Sequence, residues 1–468
     1  MLARLRQDFR WQLLLVALVG LAIRVTAVLT WSRNFDPQGD QNFYWRQGQD
    51  LASGYGFVYR NNFGERVATA VHPPLYSAYL GVVSFLGGTS HAWHRMASTL
   101  LGFAAVIVIG FAARRVAGNR AGLLAAGFAA LYPNLWVNDA MMLSESMYAL
   151  TIGLVFLAAY RFKDDRSTWS AVLLGGAVAL AALTRAEATF LFVLLIIPLA
   201  LIGTSQTWRD RFVRAGVALV AGGLVLAPWV IRNYVTFENH PLTVSNGSGF
   251  VVEISNCDQT YGIPPAEPKL NDDGTVEDPN KLLGYWAGEC DRTPWPSGDE
   301  TVVAAAKQQT GVDYIKDHKK RFPVVVAARI GRIWDVWRPG QSYDFNKFFE
   351  RRGDLTTLSG MAMYYPMLLA SLAGLWVLFK RKVTMIPFLA VFAMTTMTAA
   401  VSFGITRYRV GADVGITILA AVAIDALLRR WWPVASKTQD GAGDAPTATG
   451  STPEEIDLTR LADPVGAP

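Results

Sequence analysis

The sequence predicts a polytopic α-helical membrane protein of about ten or more transmembrane helices, with interfacial helices in its first outer loop and a small extracytoplasmic soluble domain. Three observations predict it. Of 468 residues, 52% are hydrophobic and only 17% charged, against about 25% charged in soluble domains. Apolar stretches close to 20 residues recur along the chain, the length that crosses a ~30 Å hydrocarbon core as a helix. Lys and Arg cluster between those stretches in a pattern that puts them on one side of a bilayer. High apolar content and only two cysteines exclude a disordered chain and a disulfide-dense secreted domain. The net charge of +6 lies in short runs between apolar segments, so it reads as topology and not as a nucleic-acid surface.

The stretches are 11–31, 94–113, 121–137, 143–160, 169–184, 188–203, 212–232, 361–379, 384–403 and 412–428. The first ends in Trp31-Ser32-Arg33 and has no small-residue cleavage site, so it stays as an anchor. Arg4, Arg6 and Arg10 precede it. Arg114, Arg115 and Arg120, then Arg161, Lys163 and Arg166, then Arg209, Arg211 and Arg214 follow in later loops, with Lys380, Arg381 and Lys382, and Arg429 and Arg430, at the end. With ten spans, all of these and both termini fall on the cytoplasmic side. Residues 1–232 then form an N-terminal transmembrane core containing the outer loop 32–93, 233–360 an extracytoplasmic domain or long loop, and 361–430 the C-terminal spans. Residues 431–468, poor in aromatics, read as a disordered cytoplasmic tail.

The chemistry-bearing residues gather on the outer side. Asp36 and Asp40 follow the first span, and Tyr44, Gly48 and Leu51 continue from Asp40 at helical spacing. Asp40 therefore opens or caps an interfacial helix, the plain alternative to a catalytic carboxylate. Asp139 and Glu145 lie at the next outer turn, where acidic groups at membrane depth face a partner or a cavity. For Glu145, favourable placement at a helix N-terminus is the alternative. Arg24, Arg185 with Glu187, Arg232, and Arg407-Tyr408-Arg409 supply cations there. Each reaches lipid phosphate when taken singly; together with the carboxylates they suggest a charged cavity suited to phosphate. His72-Pro73-Pro74-Leu75-Tyr76 leads into a second short apolar helix, and His72 is either a donor to substrate or a surface histidine. No Gly-rich phosphate loop, HExxH or GxSxG motif is present.

These pieces in this order resemble the GT-C superfamily of membrane glycosyltransferases, of the glycosyltransferase family 39 type that includes protein O-mannosyltransferases and lipid A aminoarabinose transferases. The matching stretches are Gly39-Asp40-Gln41-Asn42-Phe43-Tyr44, Pro73-Pro74-Leu75-Tyr76, Leu143-Ser144-Glu145, Leu183-Thr184-Arg185, Ala227-Pro228-Trp229 through Tyr234, and Arg407-Tyr408-Arg409. The resemblance implies transfer with inversion from a polyprenyl-phosphate sugar to an extracytoplasmic acceptor, whether protein, lipid or envelope glycan. It makes Asp40 the candidate base or acceptor-positioning carboxylate and Glu145 the second acidic residue. Arg232, Arg407 and Arg409, with His72, become candidates for the donor phosphate. From the residues themselves, Asp36, Tyr44, Arg185 and Asp139 are candidate supporting groups. Aminoarabinose transferases carry Lys where this chain has His72, and Gln41 stands where the family often has another acid. No cofactor is expected and a divalent metal is unsupported.

The site on the outer face of a cell membrane points to a lipid-linked donor, because nucleotide sugars are cytoplasmic. The alternative is a multi-pass transporter of a small anionic or lipid substrate. It predicts repeated halves with interrupted helices, and no such repeat is visible. Cys257 and Cys290 fall on the oxidising side and are expected to form a disulfide; two buried free thiols are the alternative.

Overall fold

The computed structural model describes residues 8–61, 64–202, 205–265, 277–294 and 297–431. Arg4, Arg6 and the tail beyond Trp431 lie outside them. The described residues up to Leu427 form one compact unit.

Helix α1 (Phe9–Ala27) starts at Asp8, whose carboxylate accepts the Arg10 N–H at 2.8 Å, and runs on through a π-type turn to Ser32. It buries Phe9, Leu13, Ala17, Gly20 and Arg24, one face at helical spacing, and leaves Leu15, Leu18 and Val19 exposed. Helix α2 (Asp40–Ala52), a two-stranded antiparallel hairpin of β1 (Val58–Arg60) and β2 (Arg66–Ala68), and α3 (Leu75–Phe85) make up the first outer loop. The two short helices are where the sequence reading puts them; the hairpin between them was not foreseen. Gly39, at φ +51°, turns the chain into α2 in a conformation that favours glycine.

Next come α4 (His91–Ala117) and α5 (Asn119–Leu131), then α6 (Pro133–Met141) and α7 (Glu145–Asp165). The apolar stretch 121–137 is thus two helices. Tyr132 is extended before Pro133, as residues preceding proline favour. Helix α8 (Thr168–Ala182) leads through a 3₁₀ turn, Ala186–Phe190, and a π-type turn, Phe192–Ile196, to α9 (Ile197–Leu201) and α10 (Trp208–Thr236). Small residues set the helix spacing: a Cβ at Gly175 would stand 1.9 Å from the Ala218 carbonyl oxygen, the close approach that membrane helices use where apolar burial gives no drive.

Among the described residues, five helices are long and apolar enough to cross a membrane: Phe9–Ser32, His91–Ala117, Trp208–Thr236, Asp354–Lys380 and Thr406–Arg430. Of the other expected spans, 143–160 lies on the 21-residue helix Glu145–Asp165, and the rest on shorter or interrupted helices, among them Thr168–Ala182, Ala186–Leu201 and Ile386–Val401. The long helices Trp208–Thr236 and Asp354–Lys380 carry exposed Val220, Leu224, Leu369, Leu372 and Trp376, a coat that suits lipid and would be an aggregation hazard in water. The chain is a membrane protein by this architecture.

Segment 233–360 folds as α11 (Ser248–Ile254), α12 (Asp258–Tyr261), α13 (Glu300–Asp317), α14 (Phe322–Ile333) and α15 (Pro339–Asp344), ahead of α16 (Asp354–Lys380), α17 (Ile386–Val401) and α18 (Val410–Trp431). A disulfide joins Cys257 and Cys290, with Cα atoms 5.7 Å apart. The segment is braced on the C-terminal helices: Arg329 donates to the Ala400 carbonyl at 3.2 Å, Arg409 to Ile333 at 3.0 Å and Tyr364 to Trp334 at 2.7 Å.

Candidate active site

Six separate stretches of chain meet in one ion-pair network. Asp40 is the first residue of α2, and Glu145, after Ser144, the first of α7, so both carboxylates sit at helix N-termini, where the dipole favours them. Glu145 is fully buried and accepts from Arg185 Nη1 and Arg407 Nε, each at 2.6 Å. Arg407 also donates through Nη2 to Asp40, and its Nη1 lies 3.7 Å from Glu350. Arg185, stacked over the Tyr408 ring at 4.3 Å, spends Nε on Glu187 at 2.6 Å.

Asp40 is the open member, with 32% of its side chain exposed. His72 Nε2 stands 3.4 Å from its Oδ1, and the His72 ring lies against Phe43 and Tyr44. Burial pushes the Asp40 pKa up, but the charge on Arg407, helped by His72, outweighs it and holds the carboxyl well below the usual range. Burial, then the charges on Asp40 and Glu145, keep the neighbouring Tyr44 phenol protonated.

The backbone before His72 is gripped at successive positions. Arg232 donates to the Thr69 and Phe57 carbonyls at 3.0 Å, Glu300 Oε1 accepts the Ala70 N–H at 2.6 Å, the Asn246 N–H reaches the Ala70 carbonyl at 2.8 Å, and Ser245 Oγ the Val71 carbonyl at 2.6 Å. Hairpin and His72 are thus held by the end of α10 and by segment 233–360.

The structure therefore brings together Asp40, Tyr44, His72, Glu145, Arg185 and Arg407. Four candidates are engaged differently. Arg232 is spent on the loop carbonyls just named, and Arg409, 1% exposed, on Asp413 at 3.0 Å, the Ile333 carbonyl and the Tyr364 ring; neither has the free fork that phosphate needs. Asp139 is paired with Arg24 at 2.7 Å, and Asp36 is exposed, with Arg95 and His91 as neighbours. Glu350 and Arg352 escaped the sequence reading. Their signal was the charge run Glu350-Arg351-Arg352-Gly353-Asp354 directly before a long apolar helix. Among the described residues, no group of three or more His, Cys, Asp or Glu side chains is placed to hold a metal ion.

Residues 71–231 match the family described as dolichyl-phosphate-mannose-protein mannosyltransferase. This range includes His72, Glu145 and Arg185 and ends before Arg407. The search of curated proteins finds no match. The archaeal oligosaccharyltransferase AglB from Archaeoglobus fulgidus, in complex with an inhibitory peptide and a dolichol-phosphate, superposes with a TM-score of 0.51 at 13% identity, covering 90% of this chain and 51% of that one. The Archaeoglobus fulgidus oligosaccharyltransferase tethered to an acceptor peptide gives 0.50 at 15% identity, with 90% and 50% covered. ArnT from Cupriavidus metallidurans, bound to undecaprenyl phosphate, gives 0.38 at 16% identity, with 88% and 77% covered. The chain spans about half the length of the two oligosaccharyltransferase structures. Over residues 71–231 the chain is similar to the dolichyl-phosphate-mannose-protein mannosyltransferase family, and its fold is similar to that of the archaeal oligosaccharyltransferase; both likenesses agree with the motif order.

Proposed function

We propose that the protein is an inverting glycosyltransferase that takes a sugar from a polyprenyl-phosphate donor and passes it to an acceptor on the outer face of the membrane, with both termini cytoplasmic. One observation carries this reading: a half-open carboxylate, Asp40, faces His72 and is tied to a guanidinium that two more carboxylates hold in place. The site thus holds both a carboxylate to take the acceptor's proton and a guanidinium to meet the leaving phosphate, the two groups that displacement at an anomeric carbon needs.

In the step, an acceptor hydroxyl or amine attacks the anomeric carbon from the face opposite the phosphate. The bond from that carbon to the phosphate oxygen breaks, polyprenyl phosphate leaves with the electron pair, and Asp40 receives the acceptor proton. Arg407 and His72 face the departing phosphate. The resting pair makes Asp40 a weak base, because Arg407 stabilises its charge; a donor phosphate that competes for Arg407 raises its basicity when the substrate is in place. Guanidinium charge meets the phosphate, and no metal is assigned to the step.

The test is to incubate purified protein in detergent with a polyprenyl-phosphate sugar or with a nucleotide sugar. Transfer from the lipid-linked donor alone is expected. Transfer from the nucleotide sugar alone sinks the reading.

A further inference from the structure

Both arginines that define the site are already committed. Arg407 directs Nε at Glu145, Nη2 at Asp40 and Nη1 toward Glu350, while Arg185 directs Nη1 at Glu145 and Nε at Glu187. An incoming phosphate finds four carboxylates there, with these two guanidinium groups bound to them. Such a site repels an anion unless a further cation faces it.

Arg352, two residues beyond Glu350, is a further cation close enough for the charges of this cluster to act on it. It follows the π-type turn Phe345–Phe349, and its N–H is fixed to the Asn346 carbonyl at 2.9 Å. The Asn346 side chain accepts from Thr406 Oγ1 at 3.1 Å, which locks this turn to the residue preceding Arg407. The Arg352 side chain is only 4% exposed, takes part in none of the ion pairs of the site, and its buried Nη2 has no hydrogen-bond partner. The charges of Glu350, Arg407, Glu145 and Asp413 all act on it. A buried guanidinium donor left without a partner is costly, and the planar fork matches phosphate better than any other side chain.

We propose that Arg352 is a phosphate-binding residue, engaging the phosphate of the lipid donor and of the released polyprenyl phosphate beside Arg407. This rests on the glycosyl-transfer reading. Its rival is a purely architectural role, in which Nη2 shares a water with Asp413 Oδ2, also without a partner.

The probes are undecaprenyl phosphate and undecaprenol, titrated against the purified full chain. Arg352→Met should lose about tenfold or more in affinity for the phosphate, keep its affinity for the alcohol, and melt like the unsubstituted protein. Equal phosphate affinity in both proteins overturns the assignment and leaves glycosyl transfer standing. Absence of phosphate binding by the unsubstituted protein overturns both. If Arg352→Met does not fold, Arg352→Gln, which keeps donors but not charge, is read by the same criterion. Lowered melting with unchanged phosphate affinity establishes the architectural role and overturns the proposal.

Discussion

Two arginine–carboxylate pairs tie the start of the chain to later elements, and they are built in opposite ways. Arg24 and Asp139 meet at 2.7 Å with 2% and 1% of their side chains exposed. The other Arg24 donors go to the carbonyls of Gly20, Ala129 and Ala130, and Gly102 makes room, since a Cβ there would lie 2.0 Å from Asp139 Oδ2. Arg407 has a surplus of carboxylates, and one of them, Asp40, opens to solvent beside a histidine. The same residue types thus serve architecture where every group is enclosed and, in the proposed function, chemistry where one is left reachable. Charge at membrane depth costs in either case.

The widest separation should come from Asp40→Asn. It keeps shape and a hydrogen bond to Arg407 but cannot accept a proton, so turnover should fall by about 10²–10⁴ while the melting temperature in detergent hardly moves. Wild-type turnover would place the base elsewhere in the network.

Asp139→Ala should invert that result. Removing one partner of an enclosed pair leaves Arg24 charged and unpaired, which costs about 3–5 kcal/mol. Thermal unfolding should show the loss, while turnover per folded molecule stays near normal. A turnover defect without destabilisation would erase the distinction between the pairs.

Much of this contrast was legible in the sequence, and the missing parts have physical causes. Asp40 and Glu145 were singled out as acidic groups beside apolar stretches and given their roles by the resemblance, with helix opening as the plain alternative; both short helices of the first outer loop were visible from helical spacing and the double proline. Partner choice was not visible. Arg407 and Arg409 are two residues apart in a 3₁₀ turn, so their side chains leave in different directions, one to the site and one into the core; spacing alone cannot say which. Arg232 looked like a phosphate ligand because its carbonyl partners, at Phe57 and Thr69, belong to a hairpin whose strands are only three residues each. Segment 233–360 read as a soluble domain or long loop because it is polar; its contacts to the C-terminal helices, through Arg329 on one side and Tyr364 and Arg409 on the other, were not visible in that pattern.

Asp40 also gives the comparison a pH signature. Its folded pKa lies well below the unfolded value of about 3.9. The stability from its pairing is therefore complete above that value and lost only as pH falls through the lower folded pKa. In the free enzyme, kcat/KM should show no acid limb from Asp40 above about pH 4. A midpoint at pH 5–6 that vanishes in Asp40→Asn would mean that Arg407 does not hold the carboxylate in solution.

The smallest effect should come from the grip on His72. Ser245 lies far along the chain from the site and touches it only through the Val71 carbonyl, so Ser245→Ala removes one hydrogen bond and leaves Glu300 and Asn246 holding Ala70. One such bond is worth about 1 kcal/mol, which converts to roughly fivefold in rate if it is fully expressed at the barrier. Because Ser245 acts through the placement of His72 beside Asp40, the loss should appear in kcat, with donor affinity and melting temperature unchanged. A loss in affinity with normal kcat would instead assign His72 to ground-state donor binding. No change in either would show that the bonds to Ala70 alone fix the histidine.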